Sequence, residues 1–421
     1  MPNRTVHVVG GGTVSHLRTH LALCAPAYGE TARRIADLCR EHDKTMDVVL
    51  HLTKMADPKS KIETNADMRE LAKQLAADPL TKIIFFNPAI VDFDGQVEEV
   101  VSGKRAERLR TSDEAGQPRQ YTVTLTPAPK IVRCIRKDGF DGQPPRKDIF
   151  LVSFKATAGE TEDEQYRQGL RQLKTSSSNL VLANDVTSRT NMVIVPEEGT
   201  YHVTKDREAA LRGLVEMAYL RSHLTFTRST VIDGEPVPWE SDLVPAALRT
   251  VVDYCIERGA YKKFLGVTAG HFAVRIDDQT FLTSRRKTDF NEMKKVGLVK
   301  VKTDGPDSVI AYGSKPSVGG QSQRIVFREH PGMDCILHFH CPIKPGSKVP
   351  VRSQREFECG SHQCGKNTSD GLTQFGNLLA VYLDQHGPNI VFSRSVDPHE
   401  VIRFVEENFD LEKKTGGYAI A

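Results

Sequence analysis

The chain has 421 residues, and 57 Lys and Arg against 54 Asp and Glu leave it at +3, without the electrostatic footprint of a nucleic-acid binder. No apolar run approaches the roughly 20 residues that cross a bilayer, and the N-terminus lacks the apolar core of a signal peptide, so the expectation is a cytoplasmic protein without a membrane span. Its length predicts two or three domains, and its eight cysteines, none spaced CxxC, read as reduced thiols.

The first half alternates strand and helix patterns. Val6 to Val9 is a β-branched run, Glu30 to Glu41 carries apolar residues at helical spacing, and Asp47 to Leu52 and Lys82 to Phe86 read as strands on either side of a helix at Asp67 to Ala76. That order predicts an α/β fold with a parallel sheet. The polar run from about Val100 to Gln120 and the Gly/Pro-rich Lys137 to Lys147 read as surface flaps, either solvated loops or covers over an anionic ligand. A strand at Asp148 to Phe154, a helix at Glu162 to Lys174, strands at Leu180 to Ala183 and Met192 to Val195, and a helix near Asp206 to Leu220 follow. Arg228 to Ser241 is rich in turn formers and has no period, which places the boundary there: domains 1–227 and 241–421 with a linker at 228–240. The second half opens on a helix at Leu243 to Arg258, continues with strands at Phe272 to Arg275, Thr280 to Thr283, Asp334 to His340 and Leu378 to Asp384, and closes on a helix at Pro398 to Asn408.

Three glycines and Thr13 follow the first strand in VHVVGGGTVSH. Glycines there let backbone N–H groups approach a phosphate, and a following helix N-terminus favours an anion; a tight structural turn is the competing reading. Three further segments, FFNPAIVDFDG, FLVSFKATAGET and SNLVLANDV, each fall at a strand end, where open α/β sheets bind ligands. Over roughly residues 5 to 225 these blocks resemble the phosphopantothenate–cysteine ligase family, also found as the C-terminal part of coenzyme A flavoproteins. The resemblance implies a Rossmann-like, nucleotide-binding, carboxylate-activating domain using CTP or ATP with Mg2+. Its site residues would be Gly11, Gly12, Thr13, Arg18, Asp92, Phe154, Lys155, Ala183, Asn184 and Asp185. Two family features are altered: Ala22 stands where the asparagine that contacts the activated acyl group belongs, and the lysine-rich helix is reduced to Lys174.

In the second half, CILHFHCP places His338 and His340 two apart, so a strand aims both to one side and Phe339 and Cys341 to the other. A third imidazole is available from His386, at the strand-to-turn transition in YLDQHGPNIVF, and three neutral imidazoles leave an open position on zinc. An HxH pair alone on a strand is more often a structural or surface feature. Together with the blocks around Tyr254 to Thr283, Gly313 to Gly320 and Arg328 to Pro342, however, it resembles the class II aldolase and adducin family over Leu243 to Phe404. That resemblance implies an α/β/α domain with zinc on His338, His340 and His386, stabilising an enediolate while a carbon–carbon bond breaks or forms. It also implies a phosphate pocket, for which Ala269, Gly270, Thr283, Ser284 and Ser317 are candidates, with Arg285 as an added cation and His271 in place of the family's asparagine.

Gly319 occupies the position of the family's catalytic carboxylate, so proton transfer must come from elsewhere. Glu356, Glu358 and, from the C-terminal tail, Tyr418 are the candidates. The combined expectation is a fusion enzyme: a zinc-dependent lyase of aldolase type acting on a small, phosphorylated hydroxy-carbonyl compound, joined to a ligase-like domain. Alternatives are a zinc-dependent dehydratase or epimerase on a sugar phosphate, or a non-catalytic assembly module of the adducin kind. Both families assemble, so a homo-oligomer, dimer or tetramer, is expected.

Overall fold

The computed structural model describes residues 4–416 and the backbone of Tyr418 and Ala419. Contacts divide the chain into two compact units, Met1–Val193 with Thr204–Ala218, and Ile194–Val203 with Tyr219–Ala421. Both are α/β, and no helix among the described residues is long and apolar enough to cross a membrane.

The first unit is built on strands in the order Asp47–Leu52, Thr5–Gly12, Thr81–Ala89, Phe150–Thr157, Leu180–Asp185 and Asn191–Ile194. The first five pair in parallel. The order reverses at Thr5–Gly12, which creates a topological switch point beside Thr81–Ala89. The helix Glu30–His42 buries Ala32, Ile35, Ala36 and Cys39, one stripe at helical spacing. It lies close on the first strand because Gly10 has no side chain; a Cβ there would meet that of Ala32 at 2.3 Å. The helix Asn65–Ala77 starts at a capping box: the Asp67 N–H donates to Thr64 Oγ1 (3.2 Å) and the Thr64 N–H to Asp67 Oδ2 (2.8 Å).

Two features of this unit escape the sequence pattern. After Gly12 the chain enters a hairpin, Val14–Arg18 with Leu21–Cys24, so the glycines do not open a helix as expected. The strands Phe93–Val97 and Val123–Pro127 pair antiparallel, and the polar flap at 100–120 is the loop they carry. Val123–Pro127 is exposed throughout and Phe93–Val97 buries only Gly95 and Val97, too few positions to make a readable period.

The second unit centres on a mixed sheet in the order Arg228–Ile232, Ser308–Tyr312, Val299–Thr303, Thr280–Thr283, His271–Arg275, Cys335–His338, Gly387–Phe392, Leu378–Leu383 and Val351–Arg352. Arg228–Ile232 falls in the stretch read as connecting chain; it is an edge strand, mostly exposed, and lacks alternation for that reason. Along the central strands alternate residues serve two cores. Phe272, Val274, Leu337, Phe339, Ile390 and Phe392 pack with the helices Ala246–Glu257 and Pro398–Asn408. Ala273, Ile336 and Val391 pack with Val326 and Phe327 of the helix Gln321–Glu329. The strand Tyr201–Thr204 pairs in parallel with Tyr418–Ala419.

Candidate metal centre and nucleotide edge

His338 continues the face that carries Ile336, as period two requires, and its antiparallel neighbour in register is His271. The regular strand stops at His338, yet Phe339 and Cys341 still turn into the apolar core while His340 turns the other way. His386 arrives from the turn that precedes Gly387–Phe392, after Gln385 with φ 61°. Ring centroids lie 4.6 Å apart for His338 and His386, 4.5 Å for His340 and His386, and 5.0 Å for His338 and His340. One nitrogen from each ring can be chosen so that all three lie within 4.8 Å of one another.

The hydrogen bonds sort the ring nitrogens. His338 Nδ1–H donates to the Pro388 carbonyl (2.7 Å), and His340 Nδ1–H to the Glu198 carbonyl. His338 Nε2 and His386 Nδ1 are buried without a hydrogen-bond partner. Burial, reinforced by the neighbouring imidazoles, holds His338 and His386 well below the ordinary histidine range, so both are neutral with lone pairs available. Orphaned buried nitrogens cost free energy unless something occupies them, and a divalent cation with nitrogen ligands fits this donor set. No carboxylate joins the cluster among the described residues.

His271, a substrate-site candidate, lies closer to the histidines than its assigned role implied: its ring is 4.9 Å from that of His338. Burial lowers it to about 3, and its Nδ1 is 3.2 Å from Gln323 Nε2. Gly270 before it has φ +116°, and a Cβ there would stand 2.5 Å from the His338 carbonyl, so only glycine fits. The hydroxyls expected to hold phosphate are buried and bonded internally: Thr283 Oγ1 donates to the Phe272 carbonyl (3.1 Å), and Ser284 and Ser317 share a hydrogen bond (2.9 Å). Arg285 is exposed.

Among the proton-transfer candidates, Glu356 is exposed and Glu358 half-buried, both in the turn after Val351–Arg352. The side chain of Tyr418 lies outside the described residues. Gly319 sits in a short 3-10 turn before the helix Gln321–Glu329, and Gln321 bonds Thr227, Arg324 and His362. Cys341 is in the core, with its thiol pushed up to about 12 by burial, which excludes it as a ready thiolate ligand. A cavity of about 260 Å³ lined by Arg275, Thr280, Arg324 and Phe327 includes none of the histidines.

In the first unit, parallel pairing gathers the ends of the strands that carry Gly12, Ala89, Thr157 and Asp185 at one sheet edge. Their immediate partners are protein groups. A Cβ on Gly11 would meet Thr53 Oγ1 at 2.2 Å and one on Gly12 the Ala25 carbonyl at 2.0 Å, so close backbone packing accounts for both glycines. Thr13 Oγ1 donates to Asn65 Oδ1 (2.7 Å) and accepts from the Val91 N–H (3.0 Å). Arg18 is buried and donates to the carbonyls of Leu17 (2.7 Å) and Val97 (3.2 Å). Asp92 pairs with Lys130 at the surface. Asp185 accepts from the N–H groups of Ser188 (2.8 Å), Thr187 (3.0 Å) and Glu160 (3.2 Å) and from the Thr157 hydroxyl (2.9 Å), which holds it far below the usual carboxylate range. Phe154, Lys155 and Asn184 are half-buried beside them, and Ala183 is buried.

Comparison with known proteins now bears on the second unit. Residues 250–343 match the class II aldolase and adducin N-terminal domain. The match spans His271, Gly319, His338 and His340 and bears out the resemblance seen in the sequence. A comparison with curated proteins finds no match. Similar solved structures include the DNA/pantothenate metabolism flavoprotein from Streptococcus pneumoniae, at 17% identity over 51% of this chain and 97% of that one, TM-score 0.40. Another is the C-terminal domain of the coenzyme A biosynthesis bifunctional protein CoaBC, at 16% identity over 52% and 95%, TM-score 0.34. L-fuculose 1-phosphate aldolase is similar at 18% identity over 38% and 82%, TM-score 0.30.

Several groups at the histidines carry no sequence signal. The Glu198 and Pro388 carbonyls orient His340 and His338, Thr200 hydroxyl donates to the Gln385 carbonyl, and Thr415 bonds the backbones of His340 and His386. Backbone acceptors belong to every residue type, so no motif marks them.

Proposed function

We propose that the second unit is a metal-dependent enzyme of the class II aldolase kind, with zinc on His338, His340 and His386. The observation that carries the reading is the convergence of three buried imidazoles, two of which have a buried ring nitrogen without a hydrogen-bond partner. Bound there, zinc would act as a Lewis acid toward a carbonyl or hydroxyl oxygen at its uncovered position. The chain's own residues set the tautomers through the Pro388 and Glu198 carbonyls and exclude water by burying all three rings. The substrate class is a small hydroxy-carbonyl compound, phosphorylated, and the reaction a lyase reaction of aldol type.

A second reading rests on Gly319: with no carboxylate at that turn, the metal serves a dehydratase or epimerase whose proton passes through another group, Glu356, Glu358 or Tyr418. The first unit is assigned a nucleotide, CTP or ATP with Mg2+, at the edge formed by Gly12, Ala89, Thr157 and Asp185. Arg18 and Thr13 are engaged by protein groups there, so carboxylate activation would draw on the other residues of that edge. A homo-oligomer in the cytoplasm completes the proposal.

Metal analysis of the purified full chain tests it. About one equivalent of zinc is expected, and less than about a tenth of an equivalent would leave a non-catalytic assembly module as the better reading. With metal present, a screen of phosphorylated aldehydes and ketoses separates cleavage from dehydration or epimerisation. A nucleotide at 100 times its dissociation constant should stabilise the first unit by about 2.7 kcal/mol, and no shift with any nucleotide would remove that assignment.

A further inference from the structure

Residues 194–203 precede the sequence boundary at 228–240, yet they pack within the second unit, against the histidines. The Glu198 carbonyl accepts from His340 Nδ1–H. Thr200 Oγ1 donates to the carbonyl of Gln385, the residue before His386. Gly199 between them has φ +86°, and a Cβ there would stand 3.2 Å from the Thr415 carbonyl. Thr415 in turn donates its N–H to the His340 carbonyl (3.3 Å) and its hydroxyl to the His386 carbonyl (3.3 Å). Two separate stretches of chain therefore grip the two histidines that come from outside the regular strand.

The first stretch is itself anchored by a buried ion pair. Glu197 and Arg221 have side chains 1% and 2% exposed and meet at 3.1 Å. Arg221 also donates to the carbonyls of Arg355 (3.0 Å) and Gln354 (3.3 Å), and Glu197 Oε1 accepts the Cys359 N–H (2.7 Å). These hydrogen bonds tie the segment to the turn at Gln354–Cys359.

We propose that Glu197 to Thr200, together with Thr415, form the positioning layer of the metal centre. The Glu198 carbonyl holds an Nδ1–H of His340 and so turns Nε2 toward the shared point, and the Thr200 and Thr415 hydroxyls hold the backbone that delivers His386. This rests on the reading that the three histidines hold a metal, and it adds that the centre is built in part from sequence preceding the aldolase-like half. Outer groups of this kind typically account for 10- to 100-fold in metal affinity.

The test uses the full chain and three variants, Thr200→Val, Thr200→Ser and Thr415→Val. Zinc affinity is measured by competition with a chelating dye, the visible spectrum is recorded with cobalt(II), and thermal unfolding of the metal-free protein is followed in parallel. Expected are about tenfold weaker zinc binding for each valine variant, an altered cobalt spectrum, and recovery of both in Thr200→Ser. Wild-type protein that binds neither metal overturns the metal reading itself. Wild-type protein that binds while both valine variants match its affinity and spectrum, with only their melting temperatures lowered, overturns the positioning role alone.

Discussion

Gly387→Ala offers a steric probe of the centre. Gly387 has φ +152°, and a Cβ added there would stand 2.1 Å from the Phe339 carbonyl, a backbone atom with no rotamer to yield. Real Cβ contacts essentially never fall below 3.0 Å, so the strands must part by about 0.9 Å between Phe339 and Gly387. That parting separates His340, next to Phe339, from His386, next to Gly387. Metal–ligand distances tolerate about 0.2 Å, so a shift of this size removes one of three ligands rather than stretching a bond. The variant should bind zinc at least 100-fold more weakly, read by competition titration, while circular dichroism keeps its α/β signature. Gly387→Ala protein that retains a full equivalent of zinc at wild-type affinity would refute the convergence of these two loops on one ion.

Other expectations concern stability. Glu197→Ala leaves Arg221 buried and uncompensated and should cost about 3–5 kcal/mol in denaturant unfolding, far more than loss of a surface pair such as Asp37 with Arg40. Thr64→Ala removes the hydroxyl from the capping box and should cost about 1 kcal/mol. His7 is lowered to about 4, first by burial and then by His51, 3.1 Å away. Between pH 6.5 and 4 the unfolded chain binds a proton at His7 that the folded chain does not, so stability falls as the pH drops through this window and levels off below 4. At pH 5 the loss from this residue is about 2 kcal/mol relative to pH 7.5, and His7→Leu should flatten the pH dependence by that amount; an unchanged slope would contradict the assigned burial effect.

Local signals were the legible ones. Helices Glu30–His42 and Pro398–Asn408 follow from apolar spacing within a few residues. The shared direction of His338 and His340 follows from strand alternation, and His386 stands out as a histidine at a strand entry. The edge strand Arg228–Ile232 and the arm of Phe93–Val97 and Val123–Pro127 were not legible, because Arg228–Ile232 and Val123–Pro127 bury no face and Phe93–Val97 buries only Gly95 and Val97. The glycine run after the first strand was ambiguous for a different reason. Glycine permits close approach by any group, and only the fold shows that Ala32, Thr53 and the Ala25 carbonyl fill the spaces beside Gly10, Gly11 and Gly12.

Sequence alone settled which residue types could hold a metal and which side of their strand they take, since both depend on side-chain chemistry and a two-residue period. The tertiary structure decided that the three rings meet, that His271 stands beside them in register, and that carbonyls and hydroxyls near positions 200 and 415 hold them in place. Those contacts join residues tens to nearly two hundred positions apart through atoms common to most residues, and only the folded chain brings such atoms together.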